Sequence, residues 1–347
     1  MIRFNCDYSE GAHPLILEKL AQTNLEQLPG YGLDPYSLQA AELIKQQCQT
    51  PQAAVHLLSG GTQTNLTVLA ALLRPYQSVI SADSGHINVH ETGAIETTGH
   101  RVVTAPNSEG KITAAQIDRL CQAHWQDDNP EFAPQPKVVY LSFPTELGTL
   151  YSKQELLDIR RACDENNLYL FIDGARLGYG LTAPGNDLTL PQLARCCDAF
   201  YIGGTKLGAL LGEAVVIVNP KLQKDFRYFM KQRGALLAKG RILGIQFLTL
   251  FTDNLYLQLA EHANNMAALV RKACRQAGFD FLCDSPTNQQ FPIVPNTLLK
   301  KMEQQYVFSH IEPVGKDKTA IRICTSWATR KEDVEQLAAD LQRLTGK

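Results

Sequence analysis

The stretches YLFIDGARLGYG (169–180) and AFYIGGTKLGALLGEAVVIV (199–218) decide how this chain is read. Each opens with a short run of branched and aromatic residues. The first run ends in Asp173; the second passes through a glycine pair to Lys206. A charge at the end of an apolar run is costly to desolvate unless it has a partner or a task. Runs of this length and composition read as strands buried on both faces. Working outward, comparable runs stand at AVHLL (54–58), SVISA (78–82), RVVTA (101–105), KVVYLSF (137–143) and EAVVIVN (213–219). Between them lie helical spacings: TNLTVLAALL (64–73), a helix-like NVHETGAIETTG (88–99), TAAQIDRLCQAH (113–124) and residues 153–165. Strands alternating with helices imply βαβ units. The expected class is α/β, with a mostly parallel central sheet flanked by helices.

The rhythm changes near residue 220. Long helical stretches are predicted at 221–232, 236–252 and 254–277. QQFPIV (289–294) and AIRICTSW (320–327) then read as strands, and a last amphipathic helix starts near Arg330. This divides the chain into a large domain over 1–250, including the N-terminal segment, and a smaller α+β domain over 251–347. The proline-rich DNPEFAPQP (128–136) is a surface loop, because the strand–helix alternation resumes straight after it.

Composition narrows the classes of function. The 347 residues carry a formal net charge of −2, with no long basic run, so nothing suggests the clustered positive surface of a nucleic-acid binder. No apolar run approaches the ~18 residues of a membrane span, and MIRFNCDYSE lacks a secretory signal pattern. The nine cysteines are scattered without a CxxC, which favours reduced thiols over disulfides or a zinc site. A cytoplasmic enzyme acting on a small molecule is the expectation.

A parallel sheet places its site beyond the carboxyl ends of its strands, where Asp173 and Lys206 both fall. LLSGGTQTN (57–65) joins them there as a strand, a tight turn and a helix start. Gly60 and Gly61 let the backbone approach a ligand. Thr62, Thr64 and Asn65 add side-chain donors. Exposed N–H groups and the helix dipole favour an anion. An anion cradle, a lysine and a carboxylate together fit pyridoxal phosphate. That cofactor needs a lysine to carry it, a carboxylate on its pyridine nitrogen and a group across its ring face. His86, in SADSGHINVHETGA, is placed to cover the ring. The plainer readings are a loop lysine, a capping aspartate and an ordinary half-buried histidine. His86 and His90 are spaced i, i+4 but lack a third metal ligand and the HExxH order. GARLGYG has the wrong spacing for a dinucleotide loop.

The ordered set NCDYSEGAHP, GYGLDPYS, LSGGTQTN, DSGHINVHETGA, LYLFIDGARLGYGL, YIGGTKLGALLGEA and IRICTSWAT runs from residue 5 to 329. It resembles the threonine aldolase and β-eliminating-lyase branch of the fold-type-I pyridoxal-phosphate enzymes. The resemblance implies that Lys206 carries the cofactor, Asp173 meets its pyridine nitrogen and His86 stacks on its ring. It implies that Arg176 reaches the phenolic oxygen or the substrate carboxylate. Gly61 and Thr62 would hold the phosphate, with Lys239 assisting across a dimer interface, and Gly60 and Thr205 would be further cofactor-binding residues. Arg322 would bind the substrate α-carboxylate, with Cys6 nearby where the aldolases usually have a serine. Tyr31 and Asp34 would sit on a loop that lines the neighbouring subunit's site, in a homodimer or homotetramer. One departure concerns the chemistry. The family's histidine after the strand KVVYLSF is missing from SFPTELGTLYS (142–152), and Glu146 falls in its place. The implied reaction cleaves a β-hydroxy-α-amino acid of the threonine or allo-threonine kind to glycine and an aldehyde. The alternatives are β-elimination or amino-group transfer on another amino acid, and a scaffold that has lost its catalysis.

Overall fold

The computed structural model describes residues 1–346. Its centre is a seven-stranded sheet built from β1 (Ala54–Leu58), β2 (Gln77–Ala82), β3 (Arg101–Ala105), β4 (Gln135–Ser142), β5 (Tyr169–Asp173), β6 (Ala199–Gly203) and β7 (Glu213–Ile217). The order across it is β1-β7-β6-β5-β4-β2-β3. All pairings are parallel except those of β7, which runs against both β1 and β6. The reversal has a consequence for chemistry. The first residue of β7, Glu213, lies level with Leu58 and Gly203, the last residues of β1 and β6. It therefore joins the carboxyl edge of the sheet. The alternation of side chains along a strand feeds two cores. Val139 and Leu141 of β4 enter one, and Val138 and Tyr140 enter the other.

Gly174, straight after Asp173, is required by close approach. A Cβ there would overlap the carbonyl oxygen of Tyr201 in β6. The chain leaves β5 pressed against its neighbour β6.

The helices at 64–73, 113–124 and 153–165 form as Gly61–Leu72, Ala114–Trp125 and Lys153–Glu165, but four others are shorter than their sequence patterns predict. NVHETGAIETTG yields only a single turn, His86–Val89, and a 3-10 turn, Glu96–Thr98. Thr92 and Gly93 between them have φ of 52° and 71°, outside any right-handed helix. The stretch 221–232 is a 3-10 turn followed by the helix Phe226–Gln232, broken by left-handed Asp225. The stretch 236–252 contracts to Arg241–Phe251, and 254–277 is Leu255–Gln276.

The smaller sheet collects β8 (Asp280–Phe281), β9 (Gln289–Gln290), β10 (Pro292–Pro295), β11 (Ser309–Val314) and β12 (Lys318–Cys324). β12 is paired antiparallel with β9, β10 and β11. The N-terminus reaches this unit as well. Ile2–Arg3 pair with Tyr306–Val307, and Phe4 packs in its core. The helix Leu255–Gln276 spans both units. Leu259 and Ala263 pack with the large core, and Val270 and Cys274 with the small one.

Candidate active site

The carboxyl edge of the large sheet opens on a narrow cleft. Gly61, His86, Ser142, Glu146, Asp173, Ala175, Arg176, Tyr201 and Lys206 line it, among others. Five stretches separated along the sequence thus meet in one place.

Asp173 is buried at the end of β5. Its Oδ2 accepts the Tyr140 hydroxyl at 2.6 Å and Asn65 Nδ2 at 3.1 Å, and its Oδ1 accepts the Ala175 amide at 2.9 Å. Burial by itself would raise its pKa. The facing His86 and the donors Tyr140, Tyr201 and Ala175 outweigh burial and lower it. This carboxylate is held ionised at neutral pH.

Lys206 follows β6 in a turn packed by Gly204 and Leu207, and its carbonyl accepts the Tyr179 hydroxyl at 2.5 Å. Burial and the positive charge of Arg176 push its pKa down, which favours the neutral, nucleophilic amine. Its neighbour Glu213 is pushed up to about 8, chiefly by burial. Thr205 Oγ1 donates to Glu213 Oε1 at 2.8 Å, and Glu213 Oε2 is enclosed without a partner.

Arg176 is not a free guanidinium. Its Nε and Nη2 donate to the two oxygens of Asp7 at 2.7 and 3.0 Å, and Asn288 adds a bond to Asp7 at 2.9 Å. Burial would raise the Asp7 pKa; Arg176 and Lys206 bring it down to about 2. The fork is bidentate and joins the N-terminal segment to both sheets. Cys6 lies beside it, with Sγ 3.2 Å from Ser9 Oγ.

Glu146 sits past the end of β4. Its Oε1 accepts the Ser142 hydroxyl at 2.6 Å and the His86 amide at 2.8 Å, while Oε2 is buried without a partner. Burial raises its pKa, opposed in part by these bonds.

The remaining predicted residues fall in three places. Gly60 is the extended residue before the helix Gly61–Leu72, and no side chain caps the first amides of that helix. Thr62 lies in its first turn. Arg322 on β12 holds the Asn5 carbonyl at 2.9 Å and Gln289 Oε1 at 3.2 Å, and its Nε is buried without a partner. Arg176 lines the cleft, whereas Arg322 is not among the residues that do. Tyr31 and Lys239 are exposed and lie outside the cleft of this chain; the Tyr31 ring packs under Lys231 Nζ at 4.7 Å. Asp34 requires a correction. It is fully buried and caps the helix Pro35–Cys48, taking the Ser37 amide at 2.9 Å and the Ser37 hydroxyl at 2.8 Å. The D-P pair at a helix start was the available signal.

Sequence reasoning missed Asp7, Tyr140, Tyr201, Glu91 and Glu213. Tyr140 and Tyr201 carried a signal, since a hydroxyl inside a buried strand must find an acceptor.

A helix N-terminus without a side-chain cap suits a phosphate. The ionised Asp173 suits a pyridinium nitrogen, and Lys206 provides a buried amine. The residues present therefore fit pyridoxal phosphate. Fold and site together define a fold-type-I pyridoxal-phosphate enzyme. The chain belongs to the β-eliminating lyase family, whose model matches residues 10–296. It is 30% identical to the low specificity L-threonine aldolase of Pseudomonas aeruginosa, over 99% of this chain and 98% of the relative. A solved structure of the Leishmania major threonine aldolase shares 46% identity and superposes with a TM-score of 0.97, covering 99% of this chain and 100% of that one. The Thermus thermophilus aspartate aminotransferase shares the fold, with a TM-score of 0.70 at 15% identity over 99% of this chain and 91% of its own.

Proposed function

We propose that this enzyme cleaves a β-hydroxy-α-amino acid of the threonine or allo-threonine kind to glycine and an aldehyde. The observation that carries the reading is the pairing of Lys206 and ionised Asp173 with a third group, Glu146, whose free oxygen is buried at the same cleft. The two aldolase relatives, matched over nearly the whole chain, support it.

Lys206 would hold the cofactor, with Asp173 at its ring nitrogen, His86 across its ring, and Gly60, Gly61, Thr62 and Thr205 around its phosphate. Bound there, pyridoxal phosphate supplies an electron sink for the pair left on Cα when a bond to that carbon breaks. The protein supplies the rest. Arg322, with Arg176 and Cys6 nearby, orients the substrate carboxylate. Glu146, its pKa raised by burial, takes the β-hydroxyl proton directly or through one water. The Cα–Cβ bond then breaks, the aldehyde forms from the Cβ side, and Cα receives a proton to become glycine.

The chain also divides, in this reading, into a large cofactor-binding unit (1–250) and a small unit (251–347). Tyr31 and Lys239, exposed and outside this chain's cleft, would complete the site of a second copy in a homodimer or homotetramer. Among the described residues no helix is long and apolar enough to cross a membrane. The free thiols of all nine cysteines agree with a reducing compartment, the cytoplasm.

The test is a product assay with threonine, allo-threonine and phenylserine. Glycine and the matching aldehyde in equal amounts support the reading. A keto acid with ammonia, or an amino group passed to a keto acid, would replace it with β-elimination or transamination.

A further inference from the structure

Glu91 has no part in the chemistry set out above, yet it is buried to 5% exposure beside the cleft. Its Oε1 accepts from His86 Nδ1 at 2.8 Å and from Asn65 Nδ2 at 2.7 Å. The same Asn65 nitrogen donates its other proton to Asp173 Oδ2 at 3.1 Å. Asn65 is fully buried in the first turns of the helix Gly61–Leu72, so it has little freedom to turn away. His86 is faced by three further groups: Asp173, Glu146 at its backbone amide, and the His90 ring 5.4 Å away.

An ionised carboxylate can only accept hydrogen bonds, so the imidazole must donate from Nδ1. Which ring nitrogen carries the proton is set in this way by the partner of the other. We propose that Glu91 is the positioning residue for His86: it fixes Nδ1 as the protonated nitrogen and, through Asn65, locks the ring in register with the Asp173 carboxylate. The two groups expected on the ring face and the ring nitrogen of the cofactor are then one hydrogen-bonded unit. The consequence for catalysis rests on the proposed function; the tautomer itself does not.

The experiment uses the cofactor-free protein with ring-15N histidine, with His86→Asn to assign the signal. Above the imidazole titration, wild-type His86 should be the Nδ1–H tautomer with a slowly exchanging proton. Glu91→Leu removes the acceptor, and the ring should move to the Nε2–H form, with Nδ1 no longer protected. Glu91→Gln should keep the wild-type tautomer, because Asn65 Nδ2 demands an oxygen at the shared position and so orients the new amide. An Nε2–H tautomer in the wild-type protein overturns the proposal whether or not the variants fold. An unchanged tautomer in Glu91→Leu overturns it also. A failed product assay with the Nδ1–H tautomer intact would count against the proposed function and not against this inference.

Discussion

Asp173 is a buried carboxylate at the end of β5, and Glu146 a half-buried one just past the end of the neighbouring β4, where Ser142 and Asp173 stand opposite in register. Burial acts on both in the same direction, yet their outcomes diverge. Asp173 is held below the usual carboxylate range, and Glu146 is raised above it. The difference lies in the donors. Asp173 has both oxygens bonded and faces His86. Glu146 concentrates its two bonds on one oxygen and leaves the other bare. Environments that drive neighbouring acids apart divide the labour between a fixed charge and a proton carrier.

The sharpest way to break this comparison is Glu146→Gln. It should slow cleavage of threonine by roughly 10²- to 10⁴-fold, the range for a positioned base, while cofactor binding persists. A wild-type rate would leave Glu146 as a brace for the His86 amide. Asp173→Asn removes the fixed charge. Activity should fall on the order of 10²-fold or more, read as kcat at saturating cofactor.

A finer cut is Tyr140→Phe, which deletes one donor to Asp173 and keeps the ring. The buried acceptor loses about 1–3 kcal/mol of compensation, so the Asp173 pKa should rise. The loss of activity should be smaller than in Asp173→Asn and should be concentrated at low pH.

The same divergence has a signature in stability. Asp173 and Asp7 have folded pKa values below their unfolded ones. Their stabilisation is present above the unfolded carboxylate range and is lost as pH falls through the folded values. For Asp7 the window runs from 3.8 to about 2, worth about 2 kcal/mol by linkage. Glu146 has the opposite sign: its stability contribution is full below the unfolded value and is lost as pH rises through the folded one. Denaturant midpoints for wild type and Asp7→Asn across the acid range should converge at the low end. Parallel curves would mean that Asp7 is not ionised in the fold.

The sheet and the two charged strand ends were legible because apolar runs and their punctuation are local. Asp173 and Lys206 could be read from ten residues on either side. Helix lengths were overestimated where single residues such as Asp225 or Thr92 adopt left-handed conformations, which a helical pattern does not mark. The Asp7–Arg176 fork and the Asn65 bridge between Glu91 and Asp173 were not legible. Their partners lie far apart in sequence, and nothing local to Asp7 shows that it will neutralise the arginine expected to bind a substrate.

The predicted losses of activity presume that Lys206 is where the cofactor is carried. Borohydride reduction of the purified enzyme, followed by peptide mapping, tests this directly. The reduced pyridoxyl label should fall on the peptide containing Lys206 and be absent in Lys206→Ala. A label on Lys239, Lys231 or any other lysine would contradict the account.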